Sequence, residues 1–436
     1  MKRDFSASHP QARDGSVLIV VLWASIGLVS IALLFGHSMV MNYRGADNDL
    51  AGRQADLAIE GAIRYVESLF VEAETPGAFP DVSSYEGEAM TVGEATFWLL
   101  GRPDDAGSGT TREFALVDEA SKLNLNAPQL NEDMLMGLPG MTEDLAAAIL
   151  DWRNPEGGNS ASGGVNAGEI KHAPFESVEE LALVGGATRE ILYGEDANLN
   201  GVLDANEDDG ERSLPTDNSD GKLDPGILEY LTVFSKEPEN NSDEEPRLNI
   251  STPDGMRQFL SRLGEWIPDR ATEIRSKLGN QPQPSVLELL RRGELTAEEA
   301  EAIVDQIRGP VVEGLVNLNT ASETVLRCLV GEDKAASLIA ERLNRAEQTR
   351  DMTWAIEILG PDGIAAAGMF FTGSSYQVSA DVAAVGRHGR GYRRSRVVID
   401  TSAGTPQIIY RRNLAPLGWA LGRDIRQNLA LKKEVR

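Results

Sequence analysis

Twelve consecutive residues, Asp196-Ala197-Asn198-Leu199-Asn200-Gly201-Val202-Leu203-Asp204-Ala205-Asn206-Glu207, place oxygen-bearing side chains at positions 1, 3, 5, 9 and 12 of a loop. Gly201 stands at position 6, where such a loop turns sharply. Val202 at position 7 offers its carbonyl, and Leu203 at position 8 is the apolar anchor. Calcium is a hard cation that takes six to eight oxygen ligands, and this spacing wraps Asp196, Asn198, Asn200, Val202, Asp204 and a bidentate Glu207 around one point. A second, weaker copy follows, with Thr216, Asn218, Asp220, Gly221, Lys222 and Asp224 at positions 1, 3, 5, 6, 7 and 9. Its position 12 is Ile227, so the bidentate carboxylate is missing from the loop itself. Glu229 is the nearby replacement, with Asp208, Asp209 and Asp217 as further oxygen donors. Neither loop has long regular helices on its flanks, so Ca2+ is expected as a rigid structural clamp rather than a sensor switch.

Charge follows the same division. The formal net charge of −27 opposes nucleic-acid binding, because phosphate contacts need clustered Lys and Arg. From Glu195 to Glu245 there are 16 acidic and 3 basic residues; from Arg387 to Arg436 there are 12 basic and 3 acidic. The middle of the chain suits cations. The end is either a solvated basic face or a surface for an anionic partner or membrane. No hydrolase triad, phosphate loop or zinc cluster stands out. The four His (His9, His37, His172 and His388) are far apart in sequence, and the single Cys328 excludes an internal disulfide and reads as core filler. An enzyme is not expected.

The elements that must carry these loops begin with a helix. No Asp, Glu, Lys or Arg occurs between Asp14 and Arg44, a run long enough to span a bilayer core of roughly 20 residues. Lys2, Arg3 and Arg13 precede it, which by the positive-inside rule keeps residues 1–15 cytoplasmic and exports the rest. Beyond Asn42, residues Leu50, Ile59, Ile63, Val66 and Phe70 form a stripe at helical spacing. One helix from about Ser16 to about Glu72 is predicted, on the order of 85 Å long. A signal peptide fits less well, because the apolar run is long and lacks a small-x-small site.

An internal repeat follows. Lys122-Leu123-Asn124-Leu125-Asn126-Ala127-Pro128 recurs as Arg247-Leu248-Asn249-Ile250-Ser251-Thr252-Pro253 and as Leu315-Val316-Asn317-Leu318-Asn319-Thr320-Ala321. Each copy reads as a short strand, then an N-cap and a helix, with the Asn side chains bonding local backbone. Leu135 to Leu150, with Leu138-Pro139-Gly140 at its bend, reads as a helix-hairpin-helix. A second short helix is expected from Ser177 as N-cap, with Glu180 in the capping-box position. Hairpin amides hold phosphate in DNA-binding proteins, but Glu132, Asp133, Glu143, Asp144 and Asp151 flank this one. Alternating segments at Phe97–Leu100, Glu113–Val117, Ser375–Ala383, Arg394–Asp400 and Gln407–Arg411 predict strands on both sides of the helical middle.

This layout resembles the type IV pilins and pseudopilins, and within them the type II secretion minor pseudopilin GspK family. The resemblance rests on the leader, the run Leu18-Ile19-Val20-Val21-Leu22-Trp23, the Leu-Asn repeats and the segment Leu116 to Asn124. It implies an α+β, pilin-like fold, a long N-terminal helix on an antiparallel sheet, with a large all-α insertion of helix-hairpin-helix or SAM-like units. It implies cleavage by prepilin peptidase between Gly15 and Ser16. Most members carry Glu at the fifth mature position, where this chain has Val20. That departure is the habit of the GspK subgroup and fits a subunit with none above it, since an unpaired carboxylate in lipid is costly. The implied organisation is a leader over 1–15, a transmembrane half-helix over 16–40 and the first part of a pilin-like domain over 41–118. A helical insertion over 119–365 carries the calcium loops at 196–229, the returning strands occupy 366–422, and a basic tail covers 423–436. The implied partners are GspI-like and GspJ-like minor pseudopilins, and the implied site is the inner membrane with the bulk of the chain periplasmic. The rival readings are a membrane-anchored helix-hairpin-helix protein of DNA uptake and an unrelated calcium-dependent adhesin.

Overall fold

A computed structural model describes residues 14–71, 73, 75–102, 113–155, 170–345 and 350–434; leader residues 1–13 and the last two residues of the tail lie outside them. Helix α1 covers Asp14–Val71 without a break, as the pattern predicts. Its first half, exposed on every side from Val17 to Ala46, is long and apolar enough to cross a membrane. Its second half is amphipathic, but the buried stripe is not the one that the large residues suggest. Leu50 is exposed, and the face against the sheet is Ala51, Ala55, Ala58, Ile59, Ala62, Ile63 and Val66. Small side chains at four of these positions bring helix and sheet close together. The approach is tightest at two glycines. A Cβ on Gly386 would lie 2.1 Å from the Ala51 carbonyl oxygen, and one on Gly391 (φ +65°) 2.3 Å from the Gly52 nitrogen.

The sheet is built from β1 (Met90–Val92), β2 (Ala95–Leu99) and β3 (Val117–Asp118), then far later in the chain from three strands that follow the insertion. Between them come β4 (Leu123–Asn124), α2 (Glu132–Met136), α3 (Glu143–Arg153), α4 (Arg189–Tyr193), β5 (Leu231–Thr232), β6 (Leu248–Asn249) and α5 (Pro253–Trp266). Next are α6 (Ala271–Leu278), α7 (Val286–Gly293), α8 (Ala297–Val304), β7 (Ile307–Arg308), β8 (Val316–Asn317), α9 (Glu323–Val330), α10 (Glu332–Leu343), α11 (Ala355–Ala367) and β9 (Phe371–Thr372). The chain ends with β10 (Gln377–Gly386), β11 (Arg390–Asp400), β12 (Gln407–Asn413) and α12 (Gly422–Glu434). The main sheet is antiparallel in the order β1-β2-β10-β11-β12, with β3 also pairing β10. Of the segment 113–117, only Val117 enters a strand.

Successive strand residues face opposite sides of a sheet. Val378, Ala380, Val382 and Ala384 of β10 pack with Phe97, Leu99, Val397 and Ile399 against α1. Ser379 and Asp381 face the other way and are buried too, because the helical insertion covers that face. Farther along the same face, Trp98, Leu100, Ala383 and Val385 pack on Ala420 and Leu421.

The insertion has its own core, running from Leu123 through Leu135, Ile149, Phe259, Leu287 and Leu326 to Phe371. It is not purely helical. Each Leu-Asn repeat contributes a two-residue strand that pairs in parallel with a later one: β4 with β5, β6 with β7, and β8 with β9. In each copy the Asn side chain closes a local turn, accepting from the amide two residues on: Asn126 to Asn124, Ser251 to Asn249 and Asn319 to Asn317, at 2.8, 3.0 and 2.9 Å. The middle copy lies on an excursion whose ends adjoin: Lys236 bridges Glu313, and the Gly314 amide donates to the Ser235 carbonyl at 3.0 Å.

Asn131 and Thr142 cap the two helices of the first hairpin, and Gly140 turns it at φ +65°. The segment after Ser177 differs from expectation. It is a 3-10 helix over Val178–Leu183, Ser177 makes no side-chain cap, and Glu180 accepts instead from the Glu176 amide. Lys171 pulls the Glu180 carboxylate away from the cap position by pairing with it at 2.9 Å. Cys328 is only half-buried. It lies against Gly137, where a Cβ would meet its sulfur at 2.7 Å.

Candidate metal centre and its docking to the sheet

The first acidic loop folds around its own carboxylates. Asp196 accepts from the amides of Asn200 and Gly201 at 2.9 and 2.8 Å, and Asn200 Oδ1 accepts from the Val202 amide at 2.8 Å. Leu199 (φ +54°) and Gly201 (φ +69°) both take left-handed backbone, which coils the loop tightly. Glu207 closes it from position 12, accepting from the Ala197 amide at 3.1 Å and the Asp204 amide at 2.9 Å. All six first-loop residues named from the sequence therefore lie on one compact turn. Asp196, Asn200 and Glu207 are buried.

Burial pushes the Glu207 carboxyl up to about 8, with the Asp196 and Asp204 charges adding to it against two amide donors. Crowded carboxylates of this kind are what a bound cation relieves. The residues also fit calcium on a second count. The Oδ1 of Asn198, at position 3, is buried with no hydrogen-bond partner, while its Nδ2 donates to Asp204 at 2.8 Å. Among the described residues no three His, Cys, Asp or Glu side chains gather into a metal cage by themselves. The oxygens that the loop offers are of carboxylate, amide and carbonyl type, the kinds that calcium takes.

The second loop repeats the first in backbone. Ser219 (φ +54°) and Gly221 (φ +76°) stand where Leu199 and Gly201 do. Asp220 accepts from the Lys222 amide at 2.8 Å, as Asn200 does from Val202, and Asn218 donates to Asp224 at 2.9 Å, as Asn198 does to Asp204. Its two weak positions are filled from outside. The Gly221 amide goes to Asp208 rather than to Thr216, at 3.1 Å. The amides of Asn218 and Asp224 both go to Glu195, at 3.1 Å each, in the manner of Glu207 in the first loop. Burial raises the Glu195 carboxyl, and Asp224 and Asp217 add to the effect. Glu229 serves elsewhere, pairing with Arg102 at 2.9 Å. Glu195 and Asp208 immediately flank the first loop, so the two loops interlock. Loop spacing alone does not reveal Glu195, because it precedes the loop it completes.

The first loop also touches the sheet. Arg394 of β11 donates to the carbonyls of Asn198 and Leu199, each at 2.5 Å, while its Nε and Nη2 pair with Asp381 of β10 at 2.8 Å. Arg102, just after β2, donates to the Leu199 carbonyl at 2.7 Å. Asn200 Nδ2 donates to the Ala420 carbonyl at 3.2 Å. Burial works to raise the Asp381 carboxyl, but the charges of Arg394 and Arg396 overwhelm it and hold the group well below the usual carboxylate range.

A second buried polar network joins the insertion to the sheet. Glu119 accepts from Thr232 of β5 and Ser379 of β10 and pairs with Lys122 at 3.0 Å. Asp118 accepts from Asn317, Thr320 and Ser375. Thr232 and Thr372 play matching roles: each donates to a buried Glu (Glu119 and Glu237) and accepts from the amide two residues on. Only a weak Thr-x-x-Ser recurrence marks these partner strands in sequence.

No family model matches the chain, and no curated protein matches it in sequence. Among solved structures, the chain is similar to one in the crystal structure of the GspK-GspI-GspJ complex from the type 2 secretion system of enterotoxigenic Escherichia coli. The identity is 11% and the TM-score 0.37, over 83% of this chain and 96% of that one.

Proposed function

We propose that this chain is a non-enzymatic, GspK-like minor pseudopilin, anchored in the inner membrane by α1 and carrying its bulk on the periplasmic side. In this role it caps a type II secretion pseudopilus beside GspI-like and GspJ-like subunits. The observation that carries the reading is α1 itself. Its first half is apolar and uncovered all around, while the second half packs on an antiparallel sheet whose strands are separated by a large insertion. An uncovered apolar helix of this length is costly in water and stable in lipid or among similar helices. Val20 fits the end of an assembly, because it needs no partner in the membrane. The insertion widens the head and would obstruct a subunit stacked above it.

Both acidic loops serve, in this reading, as Ca2+ clamps. Asp196, Asn198, Asn200, Val202, Asp204 and Glu207 hold the first ion. Asn218, Asp220, Lys222 and Asp224 hold the second with Glu195 and Asp208. Bound cations neutralise a segment that otherwise carries a large surplus of carboxylates. DNA uptake is disfavoured by the hairpin itself. Its second helix is capped by Thr142, which takes the Leu145 amide, and opens with exposed Glu143 and Asp144, so its surroundings repel phosphate.

The test is the mature N-terminus, read by mass spectrometry on protein purified from membranes. A start at Ser16 supports the pseudopilin reading; an intact Met1 or a cut beyond Phe35 removes it.

A further inference from the structure

We propose that cation occupancy of the first loop locks the helical insertion onto the sheet, with Arg394 as the residue that transmits the lock. The inference rests on the reading of that loop as a calcium site. It goes further in assigning a consequence to residues that are not ligands.

The loop has two faces. Inward, the side-chain amides of Asn198 and Asn200 both donate to Asp204, and the Asn198 Oδ1 is left unpartnered. Outward, the carbonyls of Asn198 and Leu199 meet Arg394, and that of Leu199 also meets Arg102. One residue, Asn198, therefore offers its side chain to the inside and its carbonyl to the sheet. Leu199 holds left-handed backbone at φ +54°, which fixes the direction of its carbonyl. A cation that fixes the inward oxygens fixes the outward carbonyls with them.

On the other side, Arg394 has little freedom to follow a loop that relaxes. Its side chain is 0% exposed and is held on both Nε and Nη2 by Asp381. Should the loop open, Nη1 and Nη2 would each lose a carbonyl in a place where water does not reach, which is expensive. Loop geometry and docking thus favour each other. The contact between Asn200 and the Ala420 carbonyl brings the C-terminal segment into the same junction. By linkage, a cation that strengthens docking must be bound more tightly by the docked protein, and by the same factor.

Two measurements on the full chain in detergent test this. The first is hydrogen–deuterium exchange of the wild-type protein with calcium and with a chelator. Peptides over 198–204, 392–397 and 414–422 are expected to lose protection together when calcium is removed. The second is a calcium titration of Arg394→Lys, expected to bind on the order of tenfold more weakly. Arg393→Lys, whose side chain reaches Asp56 and not the loop, is expected to match wild type. If wild type binds calcium but only the 198–204 peptide responds, and Arg394→Lys binds as wild type, the lock is overturned and the calcium site stands. If wild type binds no calcium, both fall.

Discussion

Arg394 and Leu199 meet at 2.5 Å across the junction of two parts of the chain that are built separately. The guanidinium belongs to a strand of the sheet, and the carbonyl belongs to the acidic loop of the insertion. Asp381 neutralises the charge from within the sheet, so the remaining donors are free for the loop backbone. Removing that carboxylate with Asp381→Asn leaves a buried cation short of its counter-ion. A loss of about 3–5 kcal/mol is expected, read by denaturant unfolding of the detergent-solubilised chain. Because the Asp381 carboxyl is held below its ordinary range, its contribution is present above the unfolded value and fades only as pH falls toward the native one.

Glu207→Gln removes one of the two buried carboxylates that close the first loop. Calcium affinity of that site is expected to fall by roughly tenfold or more, measured by calorimetry. Asn198→Ala should weaken it in the same direction, since it deletes the buried oxygen without a partner. Unchanged affinity in both variants would remove the assignment of these ligands.

Glu195→Gln separates the two loops. It lies one residue before the first loop yet accepts from Asn218 and Asp224 of the second. The expected outcome is loss of the second ion with the first retained, read as a fall in bound calcium per chain. Thr216→Ala should have little effect, because Asp208 takes the amide that position 1 would hold.

Burial drives the Asp118 carboxyl up to about 6, against donors from Ser375, Thr320, Ala120 and Asn317. A carboxyl raised on folding binds its proton more tightly in the native state. Its favourable contribution is therefore complete below the unfolded value and is lost as pH rises through about 6. Stability measured from pH 4 to 7 should contain this declining component, and Asp118→Asn should flatten it.

Gly391→Ala tests the contact between helix and sheet. The new Cβ would sit 2.3 Å from the Gly52 nitrogen at a residue with φ +65°, so clash and backbone strain act together. A loss of about 2 kcal/mol or more is expected, as a lower midpoint in thermal unfolding. The same change at Gly404, which has open space around it, should cost only the backbone strain.

The long helix, the returning strands, the Leu-Asn turns and the first loop were legible because each is written in local pattern. What was not legible depends on neighbours distant in the chain. The polar half of β10 reads as a solvent face, yet Ser379 and Asp381 are buried under the insertion. The small residues of α1 carry no hydrophobic signal, yet Ala51, Ala55, Ala58 and Ala62 are its packing face. Strands β5, β7 and β9 have two residues each, too short for any periodicity, and exist only because a Leu-Asn copy lies beside them. Glu195 and Arg394 were hidden for the same reason, since each acts on a part of the chain other than its own.

The excursion from Lys236 to Glu313 bears on how such a chain assembles. Its two ends share a hydrogen bond, and it contains α5 to α8 and the β6–β7 ladder. The entropy of bringing those ends together is therefore spent inside a short closed segment rather than across the whole insertion. Such a segment is able to form before the sheet strands β2 and β10, far apart in sequence, have found each other. The sheet would then close around parts already made.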